Sequence, residues 1–127
     1  MSALVGVDLM VTFCLPWPPT VNMYWRNVAG RTLISRRGRE YREAVVWHVR
    51  AAKTPPWPDS ARLRVVIEAR PPDRRRRDLD NLPKGVLDSL TAAAVWADDS
   101  QVDDLRIWRG RQAAGGQLVV TVEAMDA

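Results

Sequence analysis

Residues 74–102 read RRRRDLDNLPKGVLDSLTAAAVWADDSQV. The stretch decides the fold class because its middle is helical while strand patterns flank it. From about Asp80 to Ala94, the residues Val86, Leu90 and Ala93 recur on one stripe flanked by Leu87 and Ala94, which predicts an amphipathic helix. Pro83 falls in the first turn, where an amide hydrogen has no intrahelical acceptor to lose. Upstream, Leu63, Val65, Ile67 and Ala69 alternate with Arg64, Val66, Glu68 and Arg70 and stop at Pro71-Pro72, the pattern of a strand with one core face. Downstream, Leu105 and Ile107, then Leu118, Val120 and Val122, predict two strands joined as an antiparallel hairpin by a reversal over 113–116.

Towards the N-terminus, Leu9, Val11, Phe13 and Leu15 alternate with Met10, Thr12 and Cys14, predicting another strand that Pro16-Trp17-Pro18-Pro19 halts. LPWPPTVNMYWRN then leaves the sheet as a rigid, aromatic-bearing loop. Its Trp17, Tyr24 and Trp25 read first as a lid on the core, the alternative being stacking on exposed bases. Gly30 marks a turn, and 32–34 a short extended piece. Ser35 is the expected N-cap of a helix reaching about Lys53, beyond which Pro55-Pro56 forbids continuation. At 100° per residue, Tyr41, Ala44, Val45, His48, Val49 and Ala52 share one arc, with Arg36, Arg39, Arg42 and Arg50 opposite. His48 is therefore expected as a core or interface histidine rather than a ligand. The arginine face either tracks a phosphate backbone or is simply solvated.

The 127 residues, 46% hydrophobic and 27% charged, suit one domain spanning 1–127. Nineteen Lys+Arg against 15 Asp+Glu leave a net charge of +4, which favours a polyanionic partner, although codon bias in a GC-rich genome also enriches arginine. Only Lys53 and Lys84 are lysines; the rest is arginine, whose planar fork grips phosphate bidentately. One cysteine, Cys14, and one histidine, His48, cannot complete a zinc site or an intramolecular disulfide. The apolar start MSALVGVDLMV carries Asp8, lacks a basic leader and is too short to span a bilayer, so a cytoplasmic protein with no membrane partner is expected.

The chemistry concentrates where Arg74, Arg75, Arg76 and Arg77 run directly into Asp78-Leu79-Asp80-Asn81. In extended chain, residues two apart face the same side, so Asp78 and Asp80 point together, with Asp80 at the expected helix N-cap. Lys84, four residues on, would lie above Asp80 on the same helix face. Asp98 and Asp99 add a second acidic pair beyond the helix. If Asp78, Asp80 and one of Asp98 or Asp99 converge, two like charges ~4 Å apart at an effective dielectric of ~20 repel by about 4 kcal/mol, and something positive must compensate. A hard divalent cation with oxygen ligands does so, and can activate a phosphodiester towards water. Lys84 would supply a fixed positive charge where the transition state gains negative charge. The alternative is that Arg74 to Arg77 pair with these aspartates as a surface ion network.

The segment RRRRDLDNLPKGVLDSLTAAAVWADDSQV closely resembles the signature of the RusA-like Holliday junction resolvases, and LPWPPTVN followed by GRTLIS matches that family's N-terminal pattern. The resemblance spans about Val11 to Glu123 in order and spacing. It implies a small α/β (α+β) fold, with a mixed sheet and two main helices, forming a homodimer. It also implies an endonuclease dependent on Mg²⁺, with Mn²⁺ as substitute, that nicks four-way DNA junctions symmetrically, often in prophages. Carried over by position, the essential acids are Asp78, Asp80 and Asp99 as catalytic and metal residues, and the essential lysine is Lys84. Asn81 and Asp98 stand beside them as supporting groups. Arg74 to Arg77 with Arg36 and Arg39 would hold the DNA arms, and Tyr24 and Trp25 would wedge at the branch point. No organic cofactor is implied, and residues 1–7 have no assigned counterpart. Two rival readings remain at this level: a non-catalytic basic DNA-binding module, and a metal-dependent nuclease acting on flaps or RNA.

Overall fold

The computed structural model describes residues 10–125; Leu9, Asp8 and the extension 1–7 lie outside the described residues. In chain order the elements are β1 (Met10–Pro16), α1 (Val21–Tyr24), β2 (Trp25–Val28), β3 (Arg31–Ile34), α2 (Arg36–Ala52), β4 (Leu63–Arg70), α3 (Pro83–Ala92), β5 (Val102–Arg109) and β6 (Gln117–Ala124). Two one-turn 3-10 helices, Leu79–Asn81 and Asp99–Gln101, precede α3 and β5. The proline-rich loop expected after β1 thus holds a helical turn and the first strand of a small hairpin, β2 with β3. No described helix is long and apolar enough to cross a membrane.

Alternation decides the main sheet. Leu63, Val65, Ile67 and Ala69 of β4, Leu118, Val120 and Val122 of β6, and Phe13 and Leu15 of β1 are all buried on one face. On the other face Arg64 ties three strands together, reaching Asp104 at 2.8 Å and Glu123 at 2.9 Å. The strand order is β1-β6-β4-β5, antiparallel except for the parallel pair β4 and β5.

This order corrects the expected β5–β6 hairpin, because β4 lies between the two strands. Two features explain it. The parallel β4–β5 pair needs a crossover, and α3 supplies one. The connection over 110–116 is then held against the end of β4, with the Gly110 amide donating to Ala69 O (2.9 Å) and the Ala113 amide to Pro71 O (3.0 Å). The chain is so carried past β4 before it turns back. Burial agrees: β4 and β6 are central, whereas Leu105 of β5 remains 41% exposed at the sheet edge.

Both long helices cover the buried face. Ser35 caps α2 as expected, its Oγ accepting from the Gly38 amide at 3.0 Å, and Lys53 ends the helix in the left-handed region before Pro55. Tyr41, Val45 and Val49 point into the core. His48 does not: it is exposed, edge-on to Trp47 at 5.6 Å between ring centroids, which removes the core alternative of its expected core-or-interface role. The apolar arc is narrower than the periodicity suggested and ends beside it. Arg42, expected on the solvated arc, is instead half-buried against α3.

The second helix also begins later than the sequence predicts. Its N-cap position is Leu82, Pro83 is its first residue, and Asp80 lies in the preceding 3-10 turn. A cap aspartate bonds the amide two or three residues on, and with Asp80 as cap the third would be Pro83, which has no N–H. At the far end Ala94 adopts a left-handed φ of 60° and the Val95 amide returns to Leu90 O, closing the helix at Ala92. Gly85 lets α3 approach Tyr24, since a Cβ there would stand 2.8 Å from the ring.

Candidate active site

The four arginines do not pair with the acids that follow them. Asp73, before the run, takes that role: its carboxylate accepts from Arg77 Nη1 at 2.6 Å and from the Arg75 amide at 2.9 Å, and lies 3.5 Å from Arg75 Nε. The Arg77 bond, seconded by the Arg75 amide, holds the Asp73 carboxyl down at about 2. Arg77 also stacks over Trp17, 5.7 Å from the ring centroid. Among the described residues Asp78, Asp80, Asp98 and Asp99 have no arginine or lysine partner, whereas Asp88, Asp103, Glu68 and Glu123 each have one and Asp73 and Asp104 each have two. The surface-network alternative for Asp78 and Asp80 is thereby removed.

Each candidate acid is held by a short, well-tied turn. Asp78 stands in extended conformation before the Leu79–Asn81 turn, exposed, with Asn81 beside it in a recess of about 270 Å³ that also takes in Thr20, Arg76 and Arg77. Asp80 is exposed within that turn. Asp99 opens the second turn, which Asp98 caps by accepting the Ser100 amide at 2.8 Å. Buried Gln101 fixes this turn from inside, accepting the Ala97 amide (3.0 Å) and donating to Pro58 O (3.0 Å) and Ala61 O (3.1 Å). The cap bond lowers the Asp98 carboxyl, while partial burial, then the neighbouring Asp98 charge and more weakly Asp88, raise that of Asp99.

Lys84 lies at the exposed start of α3 with its ammonium over the Trp25 ring, 5.4 Å from the centroid. Trp25 leans on Tyr24 at 4.8 Å, and the Tyr24 hydroxyl donates to Asp88, which also accepts from Arg42 Nη2 at 2.7 Å. Tyr24 is fully buried and Trp25 half-buried, so the lid reading holds for both and neither stands out as a wedge. Asp88 and Arg42 were not among the expected site residues. The only signal was that Asp88 lies one helical turn after Lys84. Arg36 pairs with Glu40 at 3.0 Å and Arg39 donates to Ile34 O, yet both remain exposed.

The expected convergence of three carboxylates is not seen within one chain: among the described residues no three His, Cys, Asp or Glu side chains are gathered to hold a metal. Asp78 and Asp80 precede the crossover helix α3 and Asp99 follows it, so the helix separates them within one chain, and with the helix starting at Pro83, Asp80 and Lys84 no longer share a helical face. The donor set nonetheless fits a hard divalent cation. It is all oxygen, carried by Asp78, Asp80 and Asp99, exposed and free of competing arginines. Exposed Cys14 and His48 offer no soft-metal alternative.

The family described as Endodeoxyribonuclease RusA matches residues 16–123. The crossover junction endodeoxyribonuclease of Enterobacteria phage HK97 is 43% identical over 115 residues, covering 91% of this chain and 95% of the phage protein. That of Shigella sonnei is 43% identical and that of Enterobacteria phage 82 is 42% identical, each over 114 residues, 87% of this chain and 92% of the relative. With its arginine run, its unpaired aspartates and its lysine all inside the matched span, the chain belongs to the RusA endodeoxyribonuclease family.

Proposed function

We propose that this protein is a crossover junction endodeoxyribonuclease: a Mg²⁺-dependent, structure-selective hydrolase that resolves four-way DNA junctions by paired, symmetric nicks. The observation that carries the reading is that Asp78 and Asp80, directly after four arginines, are left without a cationic partner. Exposed acids left free of arginine beside a basic cleft are available to a divalent cation.

Asp78, Asp80 and Asp99 would hold the ion, with Mn²⁺ able to replace Mg²⁺, and Asn81 and Asp98 adjoin them. When bound, the ion supplies Lewis acidity to the scissile phosphodiester. Arg74, Arg75, Arg76 and Arg77, with Arg36 and Arg39, neutralise the DNA backbone and set its register. Lys84, standing free in solvent over Trp25, offsets the negative charge that builds on the phosphate as water attacks in line, leaving a 5′-phosphate and a 3′-hydroxyl. Two symmetric cuts require two equivalent sites, which a homodimer with a two-fold axis provides. Such an enzyme would act in the cytoplasm, in prophage or bacterial DNA recombination and repair, a reading that the phage relatives support.

The test is Asp80→Asn. Mg²⁺-dependent cleavage of a four-way junction should vanish while junction binding in a gel-shift assay persists; a wild-type protein that binds but never cleaves would be a pure binding module. Lys84→Ala should lower the single-turnover cleavage rate by about 100-fold or more. Equal cutting of junction, flap, linear duplex and RNA would replace the resolvase by a general nuclease, and a monomer in sedimentation at working concentration would remove the paired-nick geometry.

A further inference from the structure

A cleft at the end of the sheet lies between the arginine run and the β5–β6 connection. Its volume is about 580 Å³ and its walls carry six arginines, Arg74 to Arg77 on one side with Arg109 and Arg111 on the other, against one carboxylate, Asp73. Asp73 is already engaged by Arg75 and Arg77. Among the described residues Arg74, Arg76, Arg109 and Arg111 have no carboxylate partner, and Arg109 donates instead to the Arg77 carbonyl. Four uncompensated guanidiniums around one space repel each other unless an anion enters.

The wall is built before any ligand arrives. The Gly110 amide is bonded to Ala69 O and the Ala113 amide to Pro71 O, and Gln112 Nε2 donates to Pro72 O at 3.3 Å. Gly116 packs so closely on Trp17 that a Cβ would stand 2.7 Å from the tryptophan Cβ. The space is far larger than one inorganic anion requires and within the range of about 300–1,000 Å³ typical of organic ligand sites. Its floor is apolar, from Trp17, Leu79 and Leu82. An elongated polyanion with sugar between its charges suits both features.

We infer that the β5–β6 connection is the second wall of a phosphodiester-binding cleft, in which Arg109 and Arg111 grip the backbone of one DNA strand opposite Arg74 and Arg76. This rests on the reading of DNA as the substrate. Arg109 and Asp99 stand at opposite ends of β5, whose eight residues extend about 23 Å at ~3.3 Å per residue. The Arg74 to Arg77 wall runs straight into Asp78, so the cleft leads a DNA strand to the Asp78 end of the site, with Arg109 and Arg111 contributing phosphate contacts on the far wall.

The test is the salt dependence of binding to a four-way junction and to a linear duplex, followed by fluorescence anisotropy. Arg111→Ala, at an exposed position, should flatten the slope of log K against log salt by about one unit on both DNAs, and Arg109→Ala with Arg111→Ala by about two. Arg106→Ala, which removes the same charge from an arginine already paired with Asp104, should leave the slope unchanged. An unaltered slope in Arg111→Ala, or an equal loss in Arg106→Ala, overturns the inference. A wild type that binds with a steep slope yet leaves junctions uncut sinks the resolvase reading and leaves the cleft standing.

Discussion

Asp73 is the residue that frees the site, because by drawing Arg75 and Arg77 backward it leaves Asp78 and Asp80 without cations. Its carboxyl titrates near 2 in the folded chain, below its ordinary value of 3.8. A depressed acid stabilises the fold at pH above the unfolded value, and that contribution disappears as pH falls through the folded one. Asp73→Asn keeps an acceptor for the Arg75 amide but removes the charge. Its melting temperature should therefore fall less than that of wild type between pH 4 and pH 2, as read by circular dichroism; parallel curves would mean that the pair with Arg77 is not maintained. The identity of the acids, the lysine and the arginines was legible in the sequence. The direction of pairing was not, because an extended run brings alternate residues together whereas the bend after Pro72 brings Arg77 back to Asp73.

At the scale of elements, α2 was readable at both ends, since a serine cap and a proline pair are local chemistry acting on neighbours in sequence. Ser35→Ala should cost about 1 kcal/mol in urea denaturation for loss of the cap, and more than an average cap because the same hydroxyl also donates to Met23 O. Gly38→Ala should cost at least as much, about 1–3 kcal/mol, since a Cβ there would lie 2.4 Å from the Tyr24 carbonyl oxygen, which is backbone and cannot swing aside. If Gly38→Ala proves neutral, α2 does not sit where described. The start of α3 was misread because apolar spacing continues through Asp80 whether or not Pro83 can donate. The tie between Arg42 and Asp88, which joins the two helices beside Lys84, depends on how the helices pack and leaves no trace in either helix's own periodicity.

At the scale of the molecule, alternation tells which face of a strand is buried and is silent about its neighbours. All four strands of the main sheet were therefore recognisable from 63–69, 105–107, 118–122 and 9–15, while their order was not. The observed order makes a quantitative distinction. Leu118→Ala, in the central strand β6, should cost about 2–5 kcal/mol, whereas Leu105→Ala at the exposed edge should cost far less. The reverse ranking in chemical denaturation would refute the order β1-β6-β4-β5.

The position of β6 bears on how this protein is made. The last strand of the main sheet in chain order is the one that joins β1 to β4, bonded to both along its length. Until it emerges, the earlier strands expose apolar faces and unpaired amides with nothing to bridge them. Truncated chains lacking 117–124 should thus be degraded rather than accumulate as a folded fragment.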